Sequence, residues 1–146
     1  MLVVLWSAPA RLQAQEKKEP TGQLLVAFGA SVGGLLFESH DKIAVCEKAI
    51  AKEPAIANEV VTKLAITANI QKVLIANLIK AREDKLLSDS DRAFVDKATE
   101  AAKLVQAEAN ALKTYIGSKD EKDAAHYREV RKKADAEIRL ILGIKS

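Results

Sequence analysis

The residues best suited to metal or nucleophilic chemistry are few in this sequence. It contains two histidines, His40 and His126, and one cysteine, Cys46. A carboxylate-bridged di-iron centre needs Glu-x-x-His on two helices, because that spacing places both ligands on one helix face. Neither histidine follows a glutamate at that spacing. The usual di-iron site is therefore excluded, and structural zinc would need more Cys and His ligands than the chain has.

The sequence also gives little indication of a haem site or of a nucleophilic catalytic site. Covalent haem needs Cys-x-x-Cys-His, which is absent. Two axial histidines could in principle hold a haem, but only 4% of the residues are aromatic, so little is available to wall such a site. No Ser or Cys partner for catalysis is visible beside either histidine, and no Gly-rich strand-to-helix loop could hold phosphate. We predict a protein that is not an enzyme and that has no cofactor.

Two charged clusters and the cysteine have an ordinary interpretation beside a functional one. His126 and Glu129, with Asp123, indicate a solvated helix face, and a weak metal site is the alternative. Four basic residues are interleaved with acids, which favours pairing within the helix over an anion site: Arg128, Arg131, Lys132 and Lys133. Cys46 is interpreted as a small apolar side chain on a helix, since free cysteine is usually buried.

The composition is typical of one helical domain. Apolar residues make up 49% of the 146 residues and charged residues 29%, with only three prolines. A chain of this length can bury about 70% of its unfolded surface, so it needs no disulfide or metal for stability. The net charge of +3 is small and well mixed, whereas a nucleic-acid binder usually has a concentrated basic face. We predict no nucleic-acid partner.

The first 14 residues have the layout of a secretory signal peptide. An apolar run from Leu2 to Trp6 precedes small residues, with cleavage expected after Ala10 or Ala14. No Lys or Arg precedes the run, so the signal would be incomplete at its start. We predict a periplasmic or secreted protein, with a cytoplasmic location as the alternative. Residues 15–22 are interpreted as a polar linker.

Apolar periodicity predicts four helices over about 23–52, 54–85, 91–116 and 119–142. Pro54 favours a first helical turn, and Ser88 or Ser90 can cap the third helix. Gly117 is predicted as a left-handed helix end, followed by a capping box of Ser118 and Glu121. The last helix is predicted to end at Gly143, with Ile144 folding back on it. Short connections favour antiparallel neighbours, so residues 23–146 are predicted to form an all-α, up-down-up-down antiparallel four-helix bundle.

The first helix contains an uncharged stretch over residues 24–37. Its fourteen residues fall short of the roughly 20 that span a membrane, so no integral membrane span is expected. We predict instead that four small residues let a neighbouring helix approach closely: Gly29, Ala30, Gly33 and Gly34.

The second helix, whose segment 60–79 contains only two charged residues, is predicted to be the most buried of the four. Its broad apolar arc includes two polar residues, Thr67 and Gln71, which are predicted as internal positions. A second, narrower stripe consists of Ile66, Ile70 and Val73. This stripe faces either a partner or, within the same chain, the N-terminal segment or a third helix, and the sequence leaves both open.

Four short stretches resemble small exported bacterial four-helix-bundle proteins of uncharacterised function: residues 33–37, 112–115, 126–127 and 141–144. The resemblance implies export and a helical bundle, and it implies no activity. We expect the protein to act through a protein partner or by forming a homodimer. The alternative is a ligand-binding or sensory bundle that holds a small apolar molecule between its helices, where Thr67 and Gln71 would orient it.

Overall fold

The computed structural model describes residues 20–144 of the protein, and their side chains from residue 27 onward. Four helices account for nearly all of this range: α1 (Pro20–Lys52), α2 (Ala57–Arg82), α3 (Asp89–Ser118) and α4 (Glu121–Leu142). A short 3₁₀ turn, Pro54–Ile56, joins α1 to α2. No strand occurs within this range. The predicted all-α four-helix bundle is confirmed.

The helices α1 and α3 contact each other across the centre of the bundle. The helix α3 contacts each of the other three, and so does α1, whereas α2 and α4 do not meet within the described residues. The α1–α2 contact is much smaller than the contacts of α3 with α2 and α4. The contact of α1 with α4 is similarly small, so the bundle is closely packed around α3 and α1 packs loosely against both α2 and α4.

The start of the chain differs only slightly from its prediction. The helix α1 begins at Pro20, so the last three residues of the predicted polar linker are helical. The predicted signal peptide over residues 1–14 lies outside the described residues, as does the rest of the linker.

Two helix ends confirm their predicted motifs. Ser88 caps α3: its hydroxyl accepts from the Asp91 amide, and the Asp91 carboxylate accepts from the Ser88 amide. At the end of α4, Gly143 is left-handed with φ of 67°. The Ile144 amide donates to the Arg139 carbonyl over 2.9 Å, which completes a Schellman motif.

The predicted turn between α3 and α4 is wrong in detail. Gly117 and Ser118 belong to α3, and the left-handed residue is Lys119, with φ of 57°. Asp120 caps α4 by accepting from the Lys122 amide over 2.8 Å, so Ser118 is not the cap. Asp and Ser cap helices equally well, and the two stand two residues apart, so the sequence motif alone selected the wrong one.

The prediction that the second helix is the most buried is also wrong. The helix α3 has ten buried residues, from Val95 to Leu112, whereas α2 has six. Alanines make α3 thin, and it is surrounded by three helices. The helix α2 is more hydrophobic but is covered on one side only, and its Ile79 side chain, for example, is 48% exposed.

The small residues of α1 have unequal roles. A Cβ built on Gly29 would lie 3.4 Å from Phe94 Cζ, and one on Gly33 would lie 2.8 Å from Leu142 Cδ2. Nothing lies within 4 Å of one built on Gly34. The predicted close approach therefore holds at Gly29 and Gly33 and not at Gly34.

One helical stretch of the described residues, Pro54–Arg82, is long and apolar enough to cross a membrane, with a mean hydropathy of 1.2. Only 22% of its most apolar window is buried. Core helices of soluble proteins can pass the same test. A single such stretch gives no indication of a protein with several membrane spans.

Candidate functional site

The candidate site is an apolar groove between α1 and α2. It consists of two adjoining depressions of about 470 and 420 Å³, which share Ile66 and Ile70. The helix α2 lines the groove from Val60 to Asn77, which corresponds to about 25 Å at 1.5 Å per residue. The facing wall on α1 is formed by Leu35, Val45, Cys46 and Ala49.

The stripe that the sequence singled out lies along this groove. Residues at i, i+4 and i+7 share one helix face, so Ile66, Ile70 and Val73 project together. Their exposed fractions are 55%, 43% and 61%, and all three line the groove. The helices α3 and α4 leave this face uncovered. No third helix covers the stripe within the described residues, whereas the other predicted intramolecular contact, with the N-terminal segment, lies outside them.

The groove has apolar walls and, at its rim, lysines that pair with glutamates of their own helices. Lys42 and Lys63 stand at the rim, and Lys63 forms an ion pair with Glu59 over 2.6 Å. Cys46 is in the wall, where burial raises the pKa of its thiol and the nearby Lys63 charge partly offsets that rise. The thiol is thus protonated and apolar at neutral pH, as a groove wall requires.

The two predicted internal polar residues are both buried but differ in their contacts. Gln71 is fully buried, and its Nε2 donates to Ser39 Oγ of α1 over 2.8 Å. Its Oε1 has no hydrogen-bond partner among the described residues. The Thr67 hydroxyl donates to the Lys63 carbonyl over 3.1 Å, and Thr67 lines the groove. The Gln71–Ser39 pair joins α1 to α2 beneath the groove, and only Thr67 borders it.

A second polar centre, which the sequence did not predict, joins α1, α3 and α4. Glu108 of α3 is fully buried and accepts from His40 Nδ1 over 2.7 Å and from Arg131 Nη1 over 2.8 Å. The position of Glu108 is a usable signal: it lies between Val105 and Leu112 on the buried face of α3. An acidic residue at such a position requires a cationic partner.

Tyr127 and Glu47 extend this polar centre towards the other end of α1. The Tyr127 hydroxyl donates to Glu47 Oε2 over 2.9 Å. Burial, together with the Glu47 charge, strongly raises the pKa of the Tyr127 phenol. Tyr127 therefore stays a protonated donor to Glu47 throughout the physiological range.

The predicted solvated face around His126 is exposed in the structure. Glu129 pairs with Lys133 over 2.7 Å, and this hydrogen bond and charge lower the pKa of Glu129. No group of three or more His, Cys, Asp or Glu residues is placed to hold a metal ion in the described part of the chain.

Comparison with known proteins does not assign the chain to a family. No protein-family model, curated protein or solved structure matches the chain.

Proposed function

We propose that the protein is a non-enzymatic binding protein whose groove receives an apolar helix, from a second copy of the chain or from another protein. The observation that supports this is the exposed stripe Ile66, Ile70 and Val73 beside an open groove. Contiguous exposed apolar residues with a polar rim are typical of interaction surfaces.

The dimensions and energetics of the groove suit a helical occupant. A length of about 25 Å accommodates about 17 helical residues, and antiparallel helix pairs receive amphipathic helices in this way. Fully burying a Val or Ile side chain contributes about 1.5–3 kcal/mol. Because each residue of the stripe is about half exposed, a partner that covers it would gain roughly half of that free energy per residue. The three together supply a few kcal/mol before the cost of association.

Self-association is tested by sedimentation velocity of the protein and of Ile70→Asp. The wild type should sediment as a dimer at micromolar concentration, and the variant as a monomer, because a carboxylate cannot be desolvated in an apolar interface at low cost. Ile79→Asp is the matched control: Ile79 is on the same helix and is similarly exposed, at 48%, but does not line the groove. It should leave the dimer intact.

A wild type that stays monomeric at high concentration would contradict self-association. Binding of a different protein is then tested by crosslinking the protein in its native envelope and isolating it together with any partner. A partner retained by wild type and Ile79→Asp, and lost by Ile70→Asp, supports it. Equal recovery with both variants contradicts it.

A second candidate is a small apolar ligand in the same groove. Each depression lies within the roughly 300–1,000 Å³ of ordinary ligand sites, and Thr67 supplies a polar atom at the border. Native mass spectrometry of protein isolated from its own host should then show added mass, which Ile70→Asp reduces. Bare protein would count against this function.

Export to the periplasm or the exterior is proposed on the apolar run 2–6, on the small residues after it and on the resemblance to exported bundle proteins. Mass spectrometry of the mature protein should find its first residue after Ala10 or Ala14. An intact Met1 would favour the cytoplasmic alternative.

A further inference from the structure

A basic pocket lies on the side of α1 away from the groove. Its lining comprises one residue of α1 and four of α4, around a volume of about 350 Å³: His40, Arg128, Arg131, Lys132 and Asp135. The structure thus gathers three of the four residues of the basic cluster and leaves Lys133 outside. With His40 neutral, three cations and one carboxylate give this lining a formal charge of +2.

His40 is held in one orientation at this pocket. Glu108 accepts from Nδ1, so Nδ1 carries a proton and Nε2 is the remaining nitrogen. Nε2 lies 3.8 Å from Asp135 Oδ1, on the pocket side. Because Arg131 binds the other Glu108 oxygen over 2.8 Å, both His40 and Arg131 are fixed through one buried carboxylate.

The cations of the pocket differ in how far they are neutralised. Arg131 pairs with Glu108, and Arg128 pairs with Glu121 on the preceding turns of α4. Lys132 forms no ion pair within residues 27–144. Asp135, the single carboxylate in the lining, pairs with Arg139 over 2.7 Å. Arg139 lies outside the lining and reduces the negative charge that Asp135 presents to the pocket.

A contribution to stability does not by itself explain why charged groups surround the buried Glu108. Apolar residues often replace a buried ion pair with no loss of stability, because desolvation cancels much of the attraction. Here His40 of α1 and Arg131 of α4 both bind a fully buried glutamate of α3. Beside them lies an open concavity whose Lys132 has no ion pair among the described residues. Fixed cationic donors that converge on a concave surface are what a phosphoryl group requires.

We propose that the basic pocket binds a phosphate group, either free phosphate or a small phosphomonoester, through Lys132, Arg128 and Arg131, with His40 in the same lining. The proposal is independent of the groove, since the two sites share no residue.

The test follows the ring signals of the two histidines by NMR while sodium phosphate or glycerol 3-phosphate replaces sodium chloride at constant ionic strength and pH. The His40 signal should shift along a saturating curve with at least one of the two ligands. The exposed His126 is an internal reference and should show no saturation. Inorganic phosphate and glycerol 3-phosphate together distinguish free phosphate from an organic phosphomonoester.

The matched variants are Lys132→Ala and Lys133→Ala, which remove the same charge from adjacent exposed positions and should both fold. Loss of a hydrogen bond to a charged group corresponds to about a tenfold weaker affinity, which is expected for Lys132→Ala. Lys133→Ala should change the affinity less than about twofold, because Lys133 lies outside the lining of the pocket and pairs with Glu129 at the exposed surface. Equal losses in the two variants, or a His40 signal that does not saturate with either ligand, would overturn the proposal.

Discussion

The two sides of α1 are built on opposite principles. Towards α2, α1 presents an apolar groove, and among the described side chains one hydrogen-bonded pair, Gln71 and Ser39, bridges the two helices beneath it. Towards α3 and α4, it forms hydrogen bonds to charged or buried groups through His40 and Glu47. The polar contacts fix the rotation of α1 about its own axis, because each needs one geometry. The apolar side needs no such geometry, so it can remain open to a partner.

The largest difference between the two sides should appear on removing Glu108 or Ile66. Glu108→Ala leaves the Arg131 cation and the His40 N–H near the core without their acceptor, which should cost about 3–5 kcal/mol of unfolding free energy. Ile66→Ala removes a side chain that is already 55% exposed, and should cost less than about 1 kcal/mol. Urea unfolding measures both changes in the Ile70→Asp background, which is expected to be monomeric. Comparable losses would refute the contrast.

The single polar bridge of the apolar side is tested by Ser39→Ala. This variant leaves the fully buried Gln71 amide without its hydrogen-bond acceptor, which should cost about 1–3 kcal/mol. The double variant Ser39→Ala with Gln71→Leu should recover most of the loss, because both partners become apolar. A double variant as unstable as the single one would show that the bridge is not the cause.

On the polar side, Tyr127→Phe removes the donor to Glu47 and should cost about 1 kcal/mol at neutral pH. The folded state raises the pKa of Tyr127, so its contribution is complete below the unfolded pKa of about 10 and is lost as the pH rises above it. The stability gap between wild type and variant should therefore narrow from pH 8 to pH 11 in urea unfolding. A constant or widening gap would contradict this sign.

The smallest effects concern two adjacent glycines of α1. Gly34→Ala should stabilise the protein by about 0.5–1 kcal/mol, since nothing lies within 4 Å of the new Cβ and alanine favours the helix. Gly33→Ala should gain less, because its Cβ would lie 2.8 Å from Leu142 Cδ2 of α4. Thermal unfolding of the two variants gives the order. A larger gain at Gly33 would mean that α4 packs less closely there than described.

Helix periodicity and end motifs were sufficient to predict the bundle. Gly143 and Ile144 formed the expected motif because few residues other than glycine tolerate a left-handed helix end. The left-handed residue at Lys119 was not predicted. A local capping motif does not reveal which of two nearby residues, Ser118 or Asp120, caps the helix in the folded protein. The sequence did identify the stripe Ile66, Ile70 and Val73, since three apolar residues at helical spacing stand out.

Burial and the second centre were harder to predict for a physical reason. Hydrophobicity describes a helix alone, whereas burial depends on how many neighbours surround it, so the alanine-rich α3 was ranked below α2. Glu108 was overlooked because its partners His40 and Arg131 are 68 and 23 residues away in sequence. Only the fold brings them together.

The central position of α3 has a consequence for the order of folding. Its extensive contacts with α2 and α4 join helices adjacent in sequence, so these pairs can form with little loop-closure entropy. The contacts of α1 with α3 and α4 span long separations, and its contact with the neighbouring α2 is small. We expect α1 to dock last and its amides to exchange hydrogen before those of α3. Since α1 contributes a wall to the groove and His40 to the basic pocket, both sites would exist only after that final step.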